Sequence, residues 1–137
     1  MQNKVLQIII GSLGGISFIY VLLFHKVLKI MDSMTYTVHY TAVYEYIALP
    51  VFIFSITAVV MQFILNTCII KKQAQQLKRH LQISCMLVFI VYTLLIIGQI
   101  FFKLFISVFI LPVVLSQKWI FSILAIMFVY SFQECKE

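Results

Sequence analysis

The sequence alternates between long apolar runs and short polar segments, and this pattern predicts helices that cross a membrane. Two runs, residues 46–70 and 83–102, contain no charged side chain and flank a basic segment. An α-helix rises about 1.5 Å per residue, so about 20 apolar residues cross a bilayer core of about 30 Å. Both runs reach that length. Because a transmembrane β-strand is about ten residues of alternating polarity, these continuous runs favour helices.

Two further runs bring the predicted number of spans to four. Residues 5–24 are apolar over a longer stretch than the core of a typical secretory signal. The last run, residues 104–132, is interrupted by Pro112, Gln117 and Lys118. We therefore predict an all-α, polytopic membrane protein, a single transmembrane domain with helices at about 5–24, 44–70, 82–102 and 107–132.

The segment from His25 to Tyr44 is the longest polar-leaning stretch and carries two periodicities. Tyr36, Tyr40 and Tyr44 repeat at the helical spacing of four, whereas polar residues recur at every second position from Thr35 to Thr41, as in a strand. A single strand would have no partner. We predict an extended loop to about residue 40, then a helix whose tyrosines lie at the membrane interface.

Composition supports a membrane protein and argues against nucleic-acid binding. The chain is 64% hydrophobic and only 10% charged, with a mean hydropathy of +1.11, whereas soluble domains are about half apolar and a quarter charged. The net charge of +6 would suit nucleic acid, but the basic residues lie between or beside the apolar runs. There they set orientation and contact anionic headgroups, so we expect the lipid bilayer as partner and no nucleic acid.

The basic segment 71–82 fixes the predicted topology. By the positive-inside rule it lies in the cytoplasm, which places both chain termini there as well. The localisation predicted is therefore a multi-pass integral membrane protein. The basic side chains of this segment are also candidates for contact with a cytoplasmic partner: Lys71, Lys72, Lys78 and Arg79.

Small and amide side chains within the runs are candidates for helix packing. Gly11 and Gly15 form a GxxxG pair, a spacing that lets two helix backbones approach closely, either within the chain or in a dimer. Gln62 and Asn66 are four residues apart and share one helix face. Polar amides at that depth usually join helices, and a cytoplasmic gate is the alternative.

Two polar residues mark a candidate intramembrane site. Gln99 follows Gly98 near the end of the third run, where the pair would bend the helix or line a cavity. If one helix covers residues 107–132, Lys118 lies inside the bilayer at a cost of about 2.5–3.5 kcal/mol, and such residues usually have a function. Alternatively, Lys118 reaches the interface or the helix starts later.

The chain offers no arrangement of residues for catalysis. Its four acidic residues divide between the two sides of the predicted membrane, and its three histidines lack metal-ligand spacing. We therefore expect neither an enzyme nor a bound metal or cofactor. The cysteines at 68, 85 and 135 fall on the reducing cytoplasmic side, so free thiols are expected.

One stretch resembles a known family. Residues 52–102 are similar to the fifth helix, third inner loop and sixth helix of nematode serpentine chemoreceptors, especially class gamma and related groups. The features are Asn66 near the end of a helix, a lysine-rich loop, and a helix that closes in Gln99-Ile100-Phe101-Phe102. The resemblance covers most of the chain, through texture more than through fixed motifs.

The resemblance implies half of a seven-helix receptor bundle. Residues 5–24 would be the fourth helix, and residues 104–132 would be the seventh. The first three helices have no counterpart, and Gln117-Lys118-Trp119 stands where a proline is expected. The implied function is that of a truncated receptor of the G-protein-coupled type, signalling or inactive, with the 71–82 turn facing a G protein. The alternative is a self-contained four-helix accessory or assembly protein that packs with other membrane helices.

Overall fold

A computed structural model of the chain describes residues 2–36, 39–67, 75–102, 112 and 118–132. Within these ranges the structure is helical, which confirms the all-α class. The elements are α1 (Gln2–Leu23), a first π turn (Phe24–Leu28), α2 (Lys29–Thr35), α3 (His39–Val43), a second π turn (Tyr44–Ala48), α4 (Leu49–Thr67), α5 (Gln75–Ile97), a third π turn (Gly98–Phe102) and α6 (Trp119–Phe132).

Three stretches of helix are long and apolar enough to cross a membrane: Lys4–Thr35, Tyr40–Leu65 and Gln76–Ile97. The first has 32 residues, or about 48 Å, and so exceeds a bilayer core of about 30 Å. By contrast, α6 has 14 residues, or about 21 Å. The described residues therefore contain three helices of spanning length and one shorter apolar helix.

The helices pack in the order α1, α4, α6, α5, with α4 and α6 in the middle. The core contains Ile10 of α1, Ala58 and Leu65 of α4, and Ala125 and Val129 of α6. Ala58 and Ala125 are at most 1% exposed, and their small side chains let α4 and α6 approach closely. Large apolar side chains cover the outside instead. Such a surface suits lipid, because soluble proteins rarely expose apolar patches of this extent.

The predicted loop from residue 25 to 40 is wrong, because the chain is helical to Thr35 and again from His39. Asp32 is the physical reason. Its buried carboxylate accepts hydrogen bonds from the Tyr40 and Thr41 backbone N–H groups, at 3.3 and 2.7 Å, and from the Thr41 hydroxyl at 2.7 Å. Asp32 of α2 thus caps the first turn of α3, where backbone donors lack helical partners. A helical hairpin results, and we call this side of the bundle the hairpin end.

Two π turns meet beside this hairpin. The Phe24 and Tyr44 rings stack with centroids 4.1 Å apart and planes 9° apart, and the Tyr44 hydroxyl lies 3.3 Å from His25 Nε2. Each turn is closed by a bond to a carbonyl five residues back, from Lys29 N–H to Phe24 and from Leu49 N–H to Tyr44. Tyr40 and Tyr44 lie in one continuous helical stretch, whereas Tyr36 ends the preceding helix α2.

The single helix predicted for residues 107–132 is interrupted at Lys118, and residues 107–111 lie outside the described part of the chain. Lys118 lies in a turn, exposed, and its carbonyl accepts a hydrogen bond from the Phe121 N–H at 3.2 Å. The helix starts at Trp119. A late start keeps the ammonium group out of the apolar helix, where burial is costly. Of residues 107–117, only Pro112 lies within the described part of the chain.

Candidate binding site between the helices

A proline in α4 creates the most distinctive polar contact of the bundle. In a regular α-helix, the Tyr46 carbonyl would accept from the N–H of residue 50, but Pro50 has no N–H and its ring presses on that carbonyl. The second π turn, at Tyr44–Ala48, lies immediately before this point. The Tyr92 hydroxyl of α5 donates to the Tyr46 carbonyl at 2.8 Å. A side chain thus supplies the donor that the sequence of α4 removes.

This contact lies on the wall of a partly open cavity of about 510 Å³. All four of the helices α1, α4, α5 and α6 contribute to its lining. Pro50 and Val51 belong to the α4 wall, Val88 and Tyr92 to the α5 wall, and Leu124 to the α6 wall. The lining is almost entirely carbon, so the cavity suits an apolar molecule.

Aromatic rings stiffen the cavity wall. Phe54, Phe89 and Phe128 contact one another, with centroids 5.3 to 6.2 Å apart and ring planes steeply inclined. Tyr92 makes a similar edge contact with Phe121 at 5.4 Å. Such edge-to-face pairs contribute about 0.5–1.5 kcal/mol each beyond the area that they bury. The rings therefore hold α4, α5 and α6 in a fixed arrangement around the cavity.

The predicted polar site, Gln99 with Lys118, is not assembled around this cavity. Gln99 lies in the third π turn, and its Oε1 is buried without a hydrogen-bond partner among the described residues. Lys118 is exposed in the turn before α6. Gln62 is half-buried in α4, and the Asn66 side chain lies outside the described residues. A joint role for these two amides therefore stays a prediction.

The glycine motif takes a different role from the one expected within the chain. A Cβ at Gly14 would lie 2.8 Å from Ser55 Cβ, so α1 and α4 touch at Gly14. A Cβ at Gly11 or Gly15 would meet nothing within 4 Å. Within the described residues, Gly14 rather than Gly11 or Gly15 makes the close contact with α4. The pair faces outward, beside the α1–α4 contact that Gly14 makes.

Two of the predicted partner-contact residues, Lys78 and Arg79, lie at the end of the bundle opposite the hairpin, which we call the basic end. Arg79 is exposed on the second turn of α5, and Lys78 is half-buried and engaged in a contact. Lys71 and Lys72 lie outside the described residues. At the same end, Gln82 donates from Nε2 to the Ser131 carbonyl at 3.1 Å and ties α5 to α6.

In the described ranges, no group of three His, Cys, Asp or Glu side chains is placed so that it could hold a metal ion. Cys85 is a buried free thiol in α5.

Comparison with protein-family models found no match, and neither did comparison with curated proteins or with solved structures.

Sequence reasoning missed the cavity because its key residues were considered separately. In the sequence, Pro50 and Tyr92 lie in two separate apolar runs, 42 residues apart. The signal that connects them is chemical. A proline inside a spanning helix leaves the carbonyl four residues earlier without its regular donor, and a side chain of a neighbouring helix is one group that can replace it.

Proposed function

We propose that this chain is a multi-pass membrane protein that binds a small, largely apolar molecule between its helices, as a chemosensory receptor of the serpentine type does. The cavity of about 510 Å³ is the observation that carries the proposal. In this assignment the chain corresponds to the last four helices of such a receptor. The cavity lies between helices, where ligand sites in helical bundles are commonly built.

The size of the cavity indicates the size of the ligand. Engineered cavities of about 150 Å³ bind benzene, which has six heavy atoms. At that ratio of about 25 Å³ per atom, the present cavity has room for roughly 20 heavy atoms. A chain of about ten carbon atoms with a small head therefore fits with space to spare. Access from the lipid phase suits the open side of the cavity.

The receptor assignment also gives the basic end a role. With Lys78 and Arg79 in the cytoplasm, as the positive-inside rule requires, the segment 71–82 contacts a G protein. Lys71, Lys72, Lys78 and Arg79 supply the positive charge of that contact. The cavity and the basic segment are then joined by α5, which lines the first and begins within the second.

Two valines on α5 provide the test. Val88 lines the cavity, whereas Val91, three residues later on the same helix, does not line it. Saturable binding of a radiolabelled diazirine-bearing decane probe would be measured in nanodiscs for the wild type, Val88→Trp and Val91→Trp. We expect Val88→Trp to lose the saturable component and Val91→Trp to keep it. Absence of saturable binding in the wild type, or equal binding by both variants, would contradict the proposal.

A second candidate function is an accessory protein that associates with another membrane helix. The outward position of Gly11 and Gly15 favours it, because small residues four apart permit close approach of a second helix. Under this proposal, Gly11→Ile and Gly15→Ile weaken association in membranes and leave the fold intact. Resonance energy transfer between labelled copies or partners reports association. Unchanged transfer at equal protein density would remove the basis of this candidate.

A further inference from the structure

Both hydroxyl groups on the α5 wall of the cavity already donate hydrogen bonds to backbone carbonyls. Tyr92 and Thr93 both line the cavity. The Tyr92 hydroxyl lies 2.8 Å from the Tyr46 carbonyl, and the Thr93 hydroxyl lies 2.8 Å from the Phe89 carbonyl. Because a carbonyl oxygen only accepts, the direction of both hydrogen bonds is fixed. The Tyr92 hydroxyl cannot donate to a ligand without giving up its bond to the Tyr46 carbonyl, whereas the Thr93 hydroxyl bonds within its own helix.

What remains on this wall is the capacity to accept hydrogen bonds. Each hydroxyl oxygen keeps a lone pair after donating, and the Tyr46 carbonyl keeps its second lone pair. Pro50 cannot occupy that lone pair, since it has no N–H. Tyr92 and the Tyr46 carbonyl therefore present two acceptors at one place in an otherwise apolar cavity.

We infer that the cavity selects a neutral hydrocarbon-like molecule that carries a hydroxyl group, and that this hydroxyl donates to the Tyr92–Tyr46 acceptor pair. The inference rests on the proposed binding function and specifies its ligand class. A molecule that only accepts, such as a ketone, finds no donor at this acceptor pair unless the bond from Tyr92 to the Tyr46 carbonyl breaks. A carboxylate meets no cation, because the residues lining the cavity are uncharged.

Two other hydroxyl groups line the cavity and serve as controls. Ser55 is 3% exposed and packs against Gly14, so its oxygen has little access to a ligand. Tyr46 is half-buried, and its phenol is the alternative donor. The variant Tyr46→Phe removes this phenol and keeps the carbonyl, so it separates the two groups of the same residue.

The test is competition against the diazirine-bearing decane probe by 1-decanol, 2-decanone and decane. We expect 1-decanol to compete at about fivefold lower concentration than 2-decanone, the ratio for one net hydrogen bond of about 1 kcal/mol. The preference persists in Tyr46→Phe. It also persists in Tyr92→Phe, where the Tyr46 carbonyl loses its donor and accepts from the alcohol directly.

The outcomes are distinguishable. Equal competition by alcohol and ketone, or a ketone preference that Tyr46→Phe abolishes, overturns the inference while the binding function stands. Failure of all three to displace the probe from wild type, with no difference from Val88→Trp, overturns the binding function itself. Dioleoylglycerol forms a separate arm. If it competes and 1-decanol does not, the hydroxyl belongs to a membrane lipid, and the ligand class is retained with that source.

Discussion

The Tyr92 hydroxyl donates to the Tyr46 carbonyl at 2.8 Å, and this carbonyl is the one that Pro50 deprives of its regular helical donor. This hydrogen bond therefore connects α5 to the π turn before α4, and it lies at the polar part of the cavity wall. In a low-dielectric interior, an unpaired carbonyl costs about 1–3 kcal/mol. Tyr92 on α5 thus donates to the carbonyl that the proline on α4 deprives of its regular donor.

This relationship predicts coupling between Tyr92 and Pro50. Tyr92→Phe leaves the carbonyl without its donor and should lower the free energy of unfolding in micelles by about 1–3 kcal/mol. Pro50→Ala restores a backbone N–H at residue 50, so Tyr92→Phe should cost less in that background. A double-mutant cycle measures the difference. Equal costs in both backgrounds would show that residue 50 has no part in the bond.

The close approach of α1 and α4 predicts opposite behaviour for neighbouring glycines. Gly14→Ala places a methyl group 2.8 Å from Ser55 Cβ and should destabilise the fold by about 1–3 kcal/mol. Gly15→Ala meets open space and is the matched control, with a change within about 1 kcal/mol of zero. Ser55→Gly removes the obstructing carbon, so it should suppress the cost of Gly14→Ala. Thermal unfolding in detergent gives the comparison, and equal effects at 14 and 15 would contradict the contact.

The hairpin end depends on Asp32. Asp32→Ala removes the acceptor of three hydrogen bonds and should destabilise the hairpin by about 2 kcal/mol or more, whereas Asp32→Asn keeps one acceptor oxygen and should cost less. Ser33→Ala is the control on the same helix, because Ser33 bonds only its own helix, at the Ile30 carbonyl. Amide exchange at Tyr40 and Thr41 is the measurement. If exchange there is unchanged in Asp32→Ala, the cap does not exist.

Tyr36 ends α2 in the left-handed conformation, with φ of 53°. A bulky residue pays about 1–2 kcal/mol for this backbone, and glycine does not. Since the side chain is 98% exposed, Tyr36→Gly should stabilise the protein by about 1 kcal/mol. Tyr36→Ala removes the same side chain but keeps the strain, so it should bring no such gain. Equal melting temperatures for the two variants would refute the explanation.

The sequence predicted the class of structure well, because long apolar runs have few alternatives. It failed in the segment from residue 25 to 44, where alternation of polar residues suggested an extended chain. A buried carboxylate decided that segment. Asp32 binds backbone groups eight and nine residues later, a contact that no local periodicity shows. A tertiary hydrogen bond thus outweighed the local alternation of polar residues.

The candidate site was harder to predict, since it depends on which helices are neighbours. Gly11 and Gly15 form the recognisable motif, yet Gly14 makes the contact within the chain. The start of α6 at Trp119 likewise depended on the position of Lys118, which composition alone left open. A small-residue motif or a proline identifies a position of importance. Only the arrangement of helices tells what it contacts.

Mapping the covalent adducts of the diazirine-bearing decane probe by mass spectrometry tests the central claim most directly. The account predicts adducts that excess 1-decanol suppresses at cavity-lining residues of all four helices, such as Ile10, Val51, Tyr92 and Leu124. Adducts at outward-facing Phe63 and Leu94 should instead be insensitive to competitor, as expected for lipid-facing positions. If competitor affects both groups equally, or affects neither, the helices do not enclose a binding site.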